Sequence, residues 1–284
     1  MQLGISDAIR EYETARQGFL ALTRSAYQLS EACAGRSVPD WTLEYGSYLF
    51  AKAAMHADAI LKLAPEITSS DTPQRLDPSS IAVLARALVD TYLILWYVAC
   101  DEVDEQEAAF RALLWQYHSE KARLSKLDLI GSTSAKVEEI RRNVLRLKAD
   151  LIADNHYKTL DNDRQRRVRQ GREAWLLTNS EIAQRAGISV GLYKTNYKFL
   201  SAYIHSHPFS LSQIAGFYED PEGILHITKT MLSEATGYLA HAMRDFNRVC
   251  QPKPNPISSV ARDIIDKWVF IFENFDDQRD GYTG

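Results

Sequence analysis

The stretch Ile81 to Cys100, IAVLARALVDTYLILWYVAC, sets the fold of this chain. Apolar side chains occupy nearly every face of it at helical spacing, so as a helix it must lie inside a protein. It carries one opposite-charge pair, Arg86 and Asp90, four residues apart and therefore on one face. A charge in such a setting is costly unless it is paired, so this pair marks where the interior turns polar. About a hundred residues later, Tyr193, Tyr197, Ser201 and His205 recur at intervals of four, bordered by Leu200 and Ile204. Two core-facing polar stripes predict one buried polar cluster between two helices.

Outward from that helix, the punctuation is helical. Asp77-Pro78 supplies a cap and a proline at the first helical position. Upstream, Ser6 or Asp7 can cap a long helix running to about Gly35, and Pro39-Asp40 precedes a second that stops at Pro65. Downstream, the acidic run Asp101, Glu102, Asp104, Glu105 and Glu107 suits the first turn of a helix ending near Gly131. Ser132 to Ser134 then caps a charged helix to about Asp154, and His156 to Trp175 is the least regular stretch. Thr178 and Glu181 have capping-box spacing before a short helix closed by Gly187; Ser189 caps the Tyr/Ser/His helix, and Pro208 ends it. Asp220-Pro221 opens a long helix to about Cys250, Pro252, Pro254 and Pro256 form a stiff connector, and Ser258 or Ser259 caps a last helix through Phe275. No strand alternation and no internal repeat is visible. The prediction is an all-α protein, an antiparallel helical bundle of about eight helices, several of them long. Residues 1–250 are expected as a single helical domain, and 251–284 as a Pro-rich connector, C-terminal helix and frayed tail.

Composition narrows the class. With 45% hydrophobic and 25% charged residues among 284, the chain is an ordinary globular one with enough material for a large core. A net charge of -4 argues against a protein whose main role is to coat nucleic acid. Cys33, Cys100 and Cys250 are odd in number, far apart and set in apolar helical contexts. They are expected as reduced core residues of a cytoplasmic protein, forming neither a disulfide frame nor a zinc knuckle. The N-terminus, MQLGISDAIREYE, lacks a signal-peptide pattern, and Arg86 and Asp90 break the most apolar stretch, so no membrane span is expected.

Three segments then occur in a telling order: FAKAAMHADAILKL with Lys52 and His56, VLARALVDTYL with Arg86 and Asp90, and YKTNYKFLSAYIH with Tyr193, Tyr197, Ser201 and His205. From Trp41 to His207 the chain resembles a prokaryotic all-helical family, domain of unknown function 5677. The resemblance implies an α-helical fold in a bacterial cytosol and supplies no activity. That family more usually has glutamate where this chain has the shorter Asp90.

Chemically, the cluster suits metal-independent RNA cleavage of toxin or phage-defence type. His205 would move a proton, Arg86 would stabilise the anionic phosphate and Asp90 would orient one of them, with Ser201 beside them. Tyr193, Tyr197, Arg164, Arg166 and Arg167 would bind the RNA. This looks like the logic of the HEPN group of helical ribonucleases, in which Arg and His lie close together on one helix; Arg111 and His118, with six residues between, are the only near match here, and they are expected instead on the half-exposed face of an amphipathic helix. The rival expectation is a non-enzymatic interaction or regulatory module in which Arg86, Asp90, Ser201 and His205 only hold the fold. A Ser-His-Asp hydrolase lacks the sharp Gly-x-Ser-x-Gly turn around Ser201. His205 and His207, with His56 or Asp90, could approach a metal only if Pro208 breaks the helix, so no metal or cofactor is expected. Residues 180–199 look like the helix-turn-helix of tetracycline-repressor-type regulators, but the second helix continues into the core stripe, which makes DNA a weak third reading. Trp41, Trp96, Trp115, Trp175 and Trp268 are expected in the core or at an interface. The last helix has an apolar face, Trp268, Phe270, Ile271, Phe272 and Phe275, suited to its own domain or to a homodimer.

Overall fold

Helix α3, Pro78–Leu95, begins as its sequence requires: the Asp77 carboxylate accepts from Ser80 N at 3.1 Å, and Pro78 sits in the first turn. It ends in a π-helical turn, Trp96–Cys100. The computed structural model describes residues 4–35, 41–68, 76–172, 174–205, 207–217 and 220–276. Pro39-Asp40 and the tail beyond Asp276 lie outside the described residues. The remaining helices are α1 (Ile5–Cys33), α2 (Trp41–Leu63), α4 (Glu105–Leu129), α5 (Ala135–Ala153), α6 (Asn155–Thr159), α7 (Asn162–Gln170), α8 (Asn179–Arg185), α9 (Val190–Ile204), α10 (Pro208–Phe217), α11 (Pro221–Cys250) and α12 (Ser259–Glu273). Among the described residues there is no strand. Caps form at Ser189, Asp220 and Ser258, whose side chains accept from Leu192 N, Gly223 N and Ala261 N.

The chain divides into two compact units, one made of Met1–Asp101 with Asn179–Gly284 and the other of Glu102–Thr178. The division follows contacts across space, whereas the sequence placed its one boundary at residue 250. Residues after 250 return to the first unit, where the Phe272 ring packs against Tyr238 at 5.1 Å. A Cβ on Gly237 would stand 2.1 Å from that ring, so glycine permits α11 and α12 to approach.

In the first unit, chain neighbours alternate in direction. Tyr12 Oη donates to Pro65 O at 2.7 Å, joining the start of α1 to the end of α2. A Cβ on Gly46, early in α2, would meet Ala99 at the far end of α3. Helix α11 adds a departure from a purely antiparallel bundle. Lys229 pairs with Glu11 at 2.6 Å near both N-termini, and Cys33 and Cys250 are joined at both C-termini, so α11 runs parallel to α1. It also runs parallel to α3, since Tyr92 near the end of α3 meets Asp245 near the end of α11. The helix at 78–100 is long and apolar enough to cross a membrane, and 67% of its apolar window is buried.

The cysteines require a correction. Cys33 and Cys250 form a disulfide with Cα atoms 6.4 Å apart, while Cys100 is free and buried. A separation of 217 residues concealed this pairing, because only the parallel packing of α1 and α11 brings their ends together. The cysteines therefore no longer point to a reducing compartment.

The second unit packs α4 and α5 around Phe110, Leu114, Tyr117, Leu147 and Leu151. Its segment 156–175 is more regular than its sequence suggests. Asp154 and Asp161 cap α6 and α7 by accepting from His156 N and Arg164 N, and Gly171 ends α7 at φ 54°. Polar capping organised helices too short to show an apolar period.

Candidate functional site

The polar cluster forms where α3, α9 and α11 meet in the first unit. Arg86 and Asp90 make their expected ion pair, with Arg86 9% exposed and the Asp90 side chain 46% exposed. The Arg86 guanidinium carbon lies 3.6 Å from the centroid of the Tyr197 ring, a cation–π contact in a nearly dry setting. Tyr193 meets the edge of Tyr197 at 5.6 Å. Asn179, at the start of α8, donates to Asp90 Oδ1 at 3.4 Å and also reaches the Tyr193 hydroxyl. Burial first, then the neighbouring Tyr197, pushes that phenol up to about 12.

These contacts fix the register. Arg86 lies opposite Tyr197 while Asp90 lies near Asn179 and Tyr193, so α9 runs antiparallel to α3. Ser201 and His205 then stand one and two turns past Tyr197, about 6 and 12 Å along the axis, toward the N-terminal end of α3. Ser201 is half-buried within the helix, and His205 is the exposed C-cap, its ring 5.9 Å from that of His207. Among the described residues no hydrogen bond or ion pair joins either side chain to Arg86 or Asp90. The cluster thus unites Arg86, Asp90, Tyr193 and Tyr197, with Ser201 and His205 displaced along the helix.

Helix α11 contributes the part that sequence reasoning missed. Glu234, Tyr238, His241 and Asp245 recur at spacings of four, three and four in EATGYLAHAMRD, which sets them on one face. That spacing was the available signal, hidden by the alanines and leucine between them. The Tyr238 hydroxyl lies near Glu234, Tyr193, Asn196 and Arg86, and burial pushes its pKa well up. Glu234 is partly exposed overall, but its Oε2 is out of solvent and burial raises its carboxyl to about 8. One turn beyond Tyr238, His241 is wholly buried between Tyr92 and Phe272 at 5.9 and 5.6 Å, and neither ring nitrogen finds a hydrogen-bond partner. Burial, then Arg244, lowers its pKa to about 3 and keeps the ring neutral. Asp245 closes the row: it accepts from Tyr92 Oη at 2.9 Å and from Arg244 Nε at 2.8 Å, while Arg244 also donates to Glu273 Oε1 at 2.5 Å. One buried carboxylate thereby ties α3, α11 and α12.

The other residues singled out in the sequence sit in separate places. In α7, Arg164 is 3.7 Å from Asp161, and Arg166 and Arg167 are 2.5 and 3.2 Å from Asp163. Arg111 is buried and bonded to Glu107, one turn before it; His118 is half-buried. The helix-turn-helix-like segment forms α8 and α9, joined at Gly187 with φ 82°, but Leu192, Tyr193, Asn196, Leu200 and Tyr203 of α9 are buried. Trp96 is buried, and Phe272 of the last helix packs into its own unit while Phe270 is 60% exposed. Among the described residues no group of three His, Cys, Asp or Glu side chains could hold a metal ion.

The fold and the cluster define an all-α protein with a polar seam inside its helical core. Residues 43–223 match the family of unknown function DUF5677, and the chain belongs to that family. The match includes the α3 and α9 sides of the seam and stops before Glu234 and the rest of its α11 side. Comparison with curated proteins gives no match, and comparison with solved structures gives none.

Proposed function

We propose that this protein works by binding and not by catalysis, as a helical interaction module whose polar seam holds α3, α9 and α11 in register. The observation that carries this reading is the engagement of Arg86. Its guanidinium face is taken by Tyr197 and its edge by Asp90, which leaves it poorly placed to receive a reacting phosphate. The histidine needed for proton transfer would be His205, which lies on an exposed cap two turns away from Tyr197.

The test is incubation of a mixed labelled RNA pool with the purified protein and its His205→Ala variant, with and without chelator. The expected result is no chelator-resistant cleavage that depends on His205, with a His205→Ala variant that melts like its parent. Cleavage that survives chelator and disappears in a folded His205→Ala variant would overturn the reading and establish a metal-independent ribonuclease of toxin or defence type.

A further inference from the structure

Beside the joined ends of α1 and α11, the first unit holds a cavity of about 450 Å³, a volume typical of small-molecule sites. Three helices that pack on one another enclose it. The end of α1, from Ser30 to Gly35, forms one wall, the first half of α2 forms the second, and Phe246 of α11 closes it. The Cys33–Cys250 bond ties the α1 wall to α11, so the walls are held together without a ligand.

The cavity is apolar at its inner end and polar at its outer one. Phe246 is buried and stacks on Phe50 with ring centroids 4.3 Å apart. Tyr48 is 63% exposed, and its hydroxyl donates to Glu44 Oε1 at 3.2 Å. Tyr45 meets the Tyr48 ring edge-on at 6.2 Å, which steadies it.

The charge of this cavity is negative. Glu44 lines it, and no lysine, arginine or histidine does. Among the described residues no cation is paired with Glu44. The first turn of α2 favours an anion at that position, which explains the residue in part and leaves its charge unanswered within the cavity. On the facing wall α1 ends with no basic residue in its last turn, so the carbonyl end of the helix adds partial negative charge. A carboxylate, helix-end carbonyls and the face of a phenol ring all attract cations.

We propose that this cavity binds a small organic cation, an ammonium group carried on an apolar body. The ammonium takes the Glu44 carboxylate and the Tyr48 ring face, and the body covers Phe246. Glu44 repels an anion, and a neutral molecule of the same shape gains neither contact. The site shares no residue with the polar seam and goes beyond the binding reading above, so its test is independent of the one for RNA cleavage.

The test measures binding to the full chain, by calorimetry at pH 7, of three compounds with one carbon skeleton: phenylpropylamine, phenylpropanol and phenylpropionate. The amine is expected to bind, the alcohol to bind about tenfold more weakly for want of the charged contact, and the carboxylate not to bind. Glu44→Gln should weaken the amine by about tenfold and leave the alcohol unchanged. Tyr48→Leu should weaken the amine by about fivefold through loss of the ring face. Glu44 and Tyr48 are both exposed, so both variants should melt like the parent. Glu139→Gln, which removes a carboxylate already paired with Lys136 at 2.9 Å, should leave every affinity unchanged. Alcohol binding as tight as that of the amine, amine binding unchanged in both variants at the cavity, or no amine binding by the parent would overturn the site.

Discussion

The two units use charged and polar groups in opposite ways. In the first, the groups that matter meet across long stretches of chain and inside the protein: Arg86 with Tyr197, Tyr92 with Asp245, and Cys33 with Cys250. In the second, many ion pairs join residues three or four apart on the surface, as in Arg166 with Asp163 and Arg146 with Asp150. Exposed local pairs add little to stability, whereas a buried partner left alone costs several kcal/mol. Polar chemistry therefore fixes tertiary arrangement in the first unit and mainly dresses helices in the second.

That contrast can be broken by experiment. Its largest expected effect is reduction of Cys33–Cys250 or substitution Cys33→Ser. A crosslink spanning 217 residues restricts the unfolded chain strongly, and losing it should cost up to about 5 kcal/mol by denaturant titration with and without reductant. Next comes Asp245→Ala, which strands the Tyr92 hydroxyl in the core and loosens Arg244; a loss of about 3 to 4 kcal/mol is expected in the same titration. At the other extreme, Arg166→Ala removes an exposed pair of α7, and its unfolding free energy should stay within about 0.5 kcal/mol of the parent. An Arg166→Ala effect as large as that of Asp245→Ala would erase the distinction.

Between these lies a pH effect that sharpens the comparison. The folded-state pKa of Glu234 is raised from 4.5 to about 8. Its contribution to stability is thus complete below about pH 4.5 and is lost as pH rises to about 8. His241 has the opposite sign: its contribution is complete above about pH 6.5 and is lost as pH falls toward 3. Thermal melts across the upper window should show Glu234→Gln losing less stability with rising pH than the parent. Parallel curves would mean that Glu234 ionises freely in the folded protein.

The sequence was most legible where one helix speaks for itself. Asp77-Pro78, Ser189, Asp220-Pro221 and Ser258 announced helix starts because capping is a local transaction between a side chain and a backbone N–H three residues on. The α3 and α9 stripes were also visible, since a run as apolar as Ile81 to Cys100 makes Arg86 conspicuous. Which residue meets which was not visible. Register between helices depends on packing, and it pairs Arg86 with Tyr197 while carrying His205 past the cluster. For α11, Glu234, Tyr238, His241 and Asp245 occupy a regular stripe, but only its burial against α3 and α12 separates it from a solvated face.

The parallel pairing of α1 with α11 also bears on how this protein is made. In this chain α1 is made well before α11, and of the helices packed beside it α11 is completed only at Cys250. At typical elongation speeds, those 217 residues take about 10 to 40 s, during which α1 lacks its α11 neighbour. The segment Glu102–Thr178 is continuous and can gather its core as soon as it clears the ribosome. A nascent chain stalled once Thr178 has emerged from the ribosome should resist protease across that segment while α1 is cut. Helix α1 thus stays without its α11 contacts until late in the synthesis of this chain.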